Sequence, residues 1–117
     1  MPSDFRRAME EVHPLKVPLV AEASVRLDGR RWEARSALAL QLALAGRIGE
    51  SLPHFEEAAR RRPGDAELLY NWGTALAAAS RYAEAAARFE ETLRLDPSHA
   101  RARHNLGAAR LALLTSP

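Results

Sequence analysis

Four histidines are the first residues to test for chemistry: His13, His54, His99 and His104. A helix presents two metal ligands on one face when they stand three or four residues apart. No two of these do, and His99 and His104 straddle the expected start of a helix. The chain has no cysteine, so thiolate ligation and disulfides are excluded, and no metal or other cofactor is expected. The glycines are scattered rather than gathered into a phosphate-cradling loop. No Ser-His-Asp grouping has supporting context. The acidic pairs Glu56-Glu57 and Glu90-Glu91 are separated by the same interval as Pro63 and Pro97. That spacing assigns them to repeated solvated helix faces rather than to a paired general acid and base. No catalytic residues are therefore expected, and the chain reads as a non-enzyme.

The basic clusters are Arg30-Arg31 and Arg60-Arg61-Arg62. Nucleic-acid binding needs a continuous basic stripe with aromatic platforms. Here Glu56, Glu57 and Asp65 interrupt the arginine triplet, which lies at an expected helix C-terminus, where cations oppose the dipole favourably. No nucleic-acid partner is expected. The net charge is only +2, although the pI is near 9.7. Of the 17 basic residues only Lys16 is lysine, a bias that a GC-rich genome would give without functional meaning. The longest apolar run, Ala37 to Ala45, is broken by Gln41 and is too short to span a bilayer. The first residues have no long apolar core of the kind a signal peptide carries. A soluble cytoplasmic protein with no membrane partner is the expectation.

The elements that would position any site are helical. Alanine and leucine dominate, and no run of Val, Ile or Thr suggests strands. Helices are expected over Trp32–Ala45, Ile48–Arg62, Ala66–Ala79, Tyr82–Leu95 and Ala100–Leu114. Gly46 suits the left-handed residue that ends a helix, and Asp65 suits an N-cap. Pro53 should make the second of these helices start late or bend. Before Trp32, a short helix through Val12 and another from about Pro18 to Leu27 bring the expected total to six or seven.

The best-formed stretch runs from Asp65 to Ser98, and its pattern recurs at the shift that carries Pro63 onto Pro97. It reads Leu69-x-x-Trp72-Gly73-x-x-Leu76, then Ala85-x-x-x-Phe89, then Pro97. The preceding unit has Leu38-Ala39-x-x-Leu42, then Ser51-x-x-x-Phe55, then Pro63. The following half-unit has Leu106-Gly107. Gly73, Ala39 and Gly107 are small where helices must approach closely, and Phe89 and Phe55 fill the gap from the facing helix. Order, spacing and a period of about 34 residues resemble the tetratricopeptide repeat signature. The departures are Arg35, Pro53, Arg103 and Arg110.

The resemblance implies an all-α, right-handed solenoid of antiparallel helix pairs. Residues 1–31 would be a degenerate repeat or cap, 32–65 and 66–99 two full units, and 100–117 a terminal half-repeat. It also implies a non-catalytic scaffold or adaptor that binds a protein or peptide partner in a concave groove. Carried over by position, the groove would be lined by Glu33, Ser36 and Leu40, then Tyr70, Asn71 and Thr74, then Arg101, His104, Asn105 and Ala108. An Asn can serve both a donor and an acceptor of a ligand backbone. Arg101 and His104 would favour a partner carboxylate. The clamp that some family members close on chaperone tails is disfavoured. Asn71 and Arg101 match it, but Ser36, Leu40 and Asn105 do not. Two other readings stand beside this one. A homo-oligomer could assemble through the stack ends, because about three repeats are usually needed for stability, or the chain could be the regulatory part of a larger enzyme.

Overall fold

The computed structural model describes residues 31–115. Five α-helices and no strand lie among them: α1 (Trp32–Leu44), α2 (Ile48–Arg61), α3 (Ala66–Ala78), α4 (Tyr82–Leu95) and α5 (Ala100–Thr115). The expected helices agree to within one residue at each end. The count of six or seven is not reached among the described residues, because the two helices expected before Trp32 lie outside them.

Each helix packs mainly on its sequence neighbours, and α3 also touches α1 and α5 across the pairs. That is the contact pattern of stacked helix pairs. Two apolar clusters alternate with it. Ala39, Phe55, Ala58, Leu68 and Ala75 join α1, α2 and α3. Tyr70, Leu76, Ala85, Phe89, Ala102 and Leu106 join α3, α4 and α5. No helix pair closes its own core; each contributes to the cluster of the next.

The repeat period is visible in the backbone. After α1, Gly46 takes φ 85° and the Arg47 N–H donates to the Leu42 carbonyl at 2.8 Å. After α3, Ser80 takes φ 63° and the Arg81 N–H donates to the Leu76 carbonyl, also at 2.8 Å. Both are left-handed helix stops that satisfy orphan carbonyls. Asp65 caps α3, its carboxylate accepting from the Leu68 N–H at 3.0 Å. The residue one period further on is His99, whose Nδ1 accepts from the Ala102 N–H at 3.1 Å. An imidazole thus does at α5 what a carboxylate does at α3.

Pro53 behaves otherwise than its sequence position suggests. The helix does not start late: α2 begins at Ile48 and runs through Pro53. Proline removes the bond to the carbonyl of Gly49, and both Gly49 and Pro53 are exposed, so water can serve the freed oxygen. The departure at Arg35 is also accommodated, by a contact of 3.1 Å between its guanidinium and Nδ1 of His54 on α2.

Candidate functional site

The residues expected to line a groove do not share one environment. Ser36 and Leu40 on α1 are half-buried, and Leu40 packs against the first apolar cluster. Arg101 and His104 on α5 are exposed, and Asn71 on α3 is half-buried. Tyr70, Thr74 and Asn105 are buried, with Tyr70 and Thr74 at 0% exposure and Asn105 at 3%. These three correct the sequence reading, which placed them on an accessible lining.

The reason lies in the first turn of α5. Tyr70 sits under it, its ring 4.7 Å from the His99 imidazole and 6.0 Å from Phe89. The Arg101 guanidinium lies 5.1 Å over the same ring. Asn105 donates from Nδ2 to the Tyr70 hydroxyl at 3.3 Å. Burial pushes the Tyr70 phenol up, so it remains a neutral hydroxyl. Thr74 returns its hydroxyl to its own helix, donating to the Tyr70 carbonyl at 2.9 Å.

Tyr70, Arg101 and Asn105 are therefore brought together, but as an inter-repeat joint. Ser36 and Leu40 make no described hydrogen bond to it. Two members of the joint were not expected from the sequence. Glu67 accepts from His99 Nε2 at 2.6 Å and lies 3.8 Å from Arg101. With Nδ1 of His99 occupied as the helix cap, Nε2 carries the proton given to Glu67. The signal was present in the spacing: His99 follows Asp65 by one repeat period, and Arg101 follows Glu67 by the same interval. Glu67 also offsets much of the positive charge that Arg101 brings to this surface.

Of the expected lining, with Glu67 added, the residues that remain exposed or half-exposed are Glu33, Ser36, Leu40, Glu67, Asn71, Arg101, His104 and Ala108. Within it, the side-chain oxygen of Asn71 is buried and has no hydrogen-bond partner among the described residues. A concavity of ≈ 230 Å³ lies between α2, α3 and the start of α4, floored by Leu52, Trp72 and Leu76. Its edge carries Glu84, which Arg81 grips with two bonds of 2.7 Å and holds below the usual carboxylate range. At that size it is below what a drug-sized ligand needs.

The charged clusters resolve into surface pairs. Arg60 and Arg61 donate to Glu57 at 2.9 and 2.8 Å, and Arg62 lies 5.2 Å over Trp32. Glu90 accepts from Arg110 at 2.9 Å, and Glu91 lies 2.8 Å from Arg88. Among the described residues no helix is long and apolar enough to cross a membrane.

Comparison with known proteins agrees with this architecture. Residues 66–99 match the family described as tetratricopeptide repeat. That stretch, α3 with α4, is one tetratricopeptide repeat, and such repeats generally mediate protein–protein interaction. A solved structure described as "MamA RS-1 ArsTM double mutant" superposes with a TM-score of 0.77 at 18% identity, over 97% of this chain and 58% of that one. At that identity the likeness concerns the fold, and the chain spans little more than half the length of that structure. No curated protein matches the sequence.

Proposed function

We propose that the protein is a non-catalytic interaction module that takes an extended partner segment on the concave side of a right-handed solenoid, lined by α1, α3 and α5. The observation that carries this reading is the Asn71 side-chain oxygen, buried without a partner. A buried acceptor left unpaired costs free energy, and few native groups are left so. A backbone N–H of a bound segment would satisfy it. Ser36 and Leu40 offer a mixed polar and apolar flank on one side, and Arg101 and His104 a basic flank on the other. The roles of Tyr70 and Asn105 in this reading are indirect: they hold α5 against α3 and so set the width of the groove, while Thr74 bonds only its own helix.

The probe is an array of extended synthetic peptides, each made with a free C-terminal carboxylate and with an amide end. Peptides that bind the wild-type chain are expected to lose about tenfold in affinity to Asn71→Ala, while the Tm of the free chain rises, since the unpaired acceptor is removed. Binding that is indifferent to Asn71→Ala rejects the site. Because Glu67 stands beside Arg101, the preference for carboxylate over amide ends is expected to be small, and Glu67→Gln should enlarge it.

A further inference from the structure

Three of the four exposed leucines among the described residues are on α5: Leu111, Leu113 and Leu114. Gly107, Leu111 and Leu114 follow a helical spacing of four and three and form one stripe. Their counterparts one repeat earlier are Gly73, Ala77 and Ser80. At Gly73 and Ala77 the surface is covered, whereas Ser80 lies beyond the end of α3 and is exposed. A Cβ on Gly73 would lie 2.7 Å from the Phe89 ring of α4, and Ala77 is fully buried in the same cluster as Ala85 and Phe89. In the first pair, Ala39 holds the same position and is buried in one cluster with Phe55 of α2. A Cβ on Gly107 would meet nothing within 4 Å among the described residues beyond its own stretch of helix, and Leu111 and Leu114 are 60% and 83% exposed. A surface that receives a helix twice is bare the third time, and its apolar side chains are larger.

The two helices that do dock share a sequence. One reads Ser51-x-x-x-Phe55-Glu56-Glu57 and the other Ala85-x-x-x-Phe89-Glu90-Glu91. The small residue lets the backbones close, the phenylalanine enters the notch, and the acids follow at the rim. Charge decides what could take the third position. α5 carries Arg101, Arg103, His104 and Arg110 and no acidic residue. Arg103 and Arg110 are exposed where α3 has the buried Leu69 and Leu76; one N–H of Arg103 goes to the Pro97 carbonyl and one of Arg110 to Glu90, out of the five donors each guanidinium carries. A second copy presenting its own α5 would set arginine against arginine, whereas an acidic helix would pair with them.

We propose that this face of α5 binds an amphipathic helix of a partner protein, one with a small residue, an aromatic residue four positions later, and acids directly after it. The partner helix lies against Gly107 as α4 lies against Gly73, with Leu111 covered as Ala77 is and its carboxylates beside Arg103 and Arg110.

The test uses the chain's own docking helix as probe. A fluorescein-labelled peptide of residues 81–96 is titrated with the full chain and followed by anisotropy. Saturable binding is expected, weakened at least about tenfold by Leu111→Asp, which buries an unpaired charge. A similar loss is expected from Gly107→Leu, which fills the notch, and from the peptide carrying Phe89→Ala. Asn71→Ala should leave it unchanged, which separates this face from the groove. Since Gly107 and Leu111 are exposed, both variants should keep wild-type helicity. No binding overturns the proposal, and so does binding that survives Leu111→Asp, which would mean that the peptide has exchanged into the place of α4. Self-association of the unmodified chain that Leu111→Asp abolishes would assign the face to a second copy and also overturn it.

Discussion

The pair α1–α2 and the pair α3–α4 are built on one backbone plan with different side chains at three contacts. Where the helices cross, the first pair has Ala39 and Phe55 and the second has Gly73 and Phe89. One turn toward the N-terminus, the first pair bridges its helices with Arg35 and His54, whereas the second has the buried Leu69 and sets Arg88 at 4.7 Å over Trp72. At the turn, the first uses Gly46 and the second Ser80. The period thus fixes where the helices stop and meet. The residue at each contact then sets how close they come, how much strain the turn carries and whether protons matter.

The crossing gives the largest expected effect. In α3 an added methyl would meet the Phe89 ring at 2.7 and 2.9 Å and the Cβ of Arg88 at 3.1 Å. Phe89 is fully buried, so its ring has no free direction in which to yield. Gly73→Ala should therefore destabilise the chain by about 1–3 kcal/mol in urea unfolding, despite the helix propensity gained. Ala39→Gly in the first pair should cost about 1 kcal/mol, for the opposite reason: lost propensity with no strain relieved. Equal or inverted effects would mean that the two crossings are equally close, and the comparison would fail at its main point.

The turns come next. Ser80 pays for a left-handed conformation that Gly46 adopts without a Cβ penalty. Ser80→Gly should raise stability by about 0.5 kcal/mol, the penalty removed being partly offset by the greater freedom of glycine in the unfolded chain. The reciprocal Gly46→Ser should lower it by about 1 kcal/mol. Thermal melts of the two single variants and the double exchange sharpen the comparison, because the sites share no partner and their effects should add.

Helix positions and period were legible in the sequence because both rest on local rules: apolar spacing, caps, and proline and glycine stops. Burial across repeats was not. Nothing in the pattern of α3 alone says whether Tyr70 faces water or the next helix. That depended on His99 folding back as a cap and bringing Arg101 and Asn105 over the ring. Extending the repeat-to-repeat comparison from apolar positions to capping positions would have exposed His99 and Glu67. The late start expected from Pro53 did not occur for a different reason, since the cost of a proline in a helix depends on whether the freed carbonyl can reach solvent. The open face at Gly107 lay in the sequence as a glycine in register with Gly73, but its leucines gained meaning only with their exposure.

The smallest effect concerns the polar bridge of the first pair. A guanidinium only donates, so Nδ1 of His54 must be the unprotonated acceptor facing Arg35. Burial, with the charge of Arg35 adding to it, holds the His54 imidazole below its ordinary value near 6.5. In the unfolded chain that value is restored, so between the two the unfolded state binds more protons. The contribution is fully present above the unfolded value and is lost as pH falls through the lowered one. The second pair has Arg88 at this place and no such dependence. His54→Gln keeps an acceptor without the titration, and the other groups that titrate on acidification are common to both forms. Among them are Glu50, Glu84 and Asp96, whose lowered values place their own losses in the carboxylate range, further down the pH scale. The Tm of the wild type relative to His54→Gln should thus be level from about pH 7.5 upward and fall as the pH drops below about 6.5. A constant difference across that window would mean that His54 titrates alike in both states. The polar bridge would then be a surface contact, and the two pairs would differ in closeness and turn strain alone.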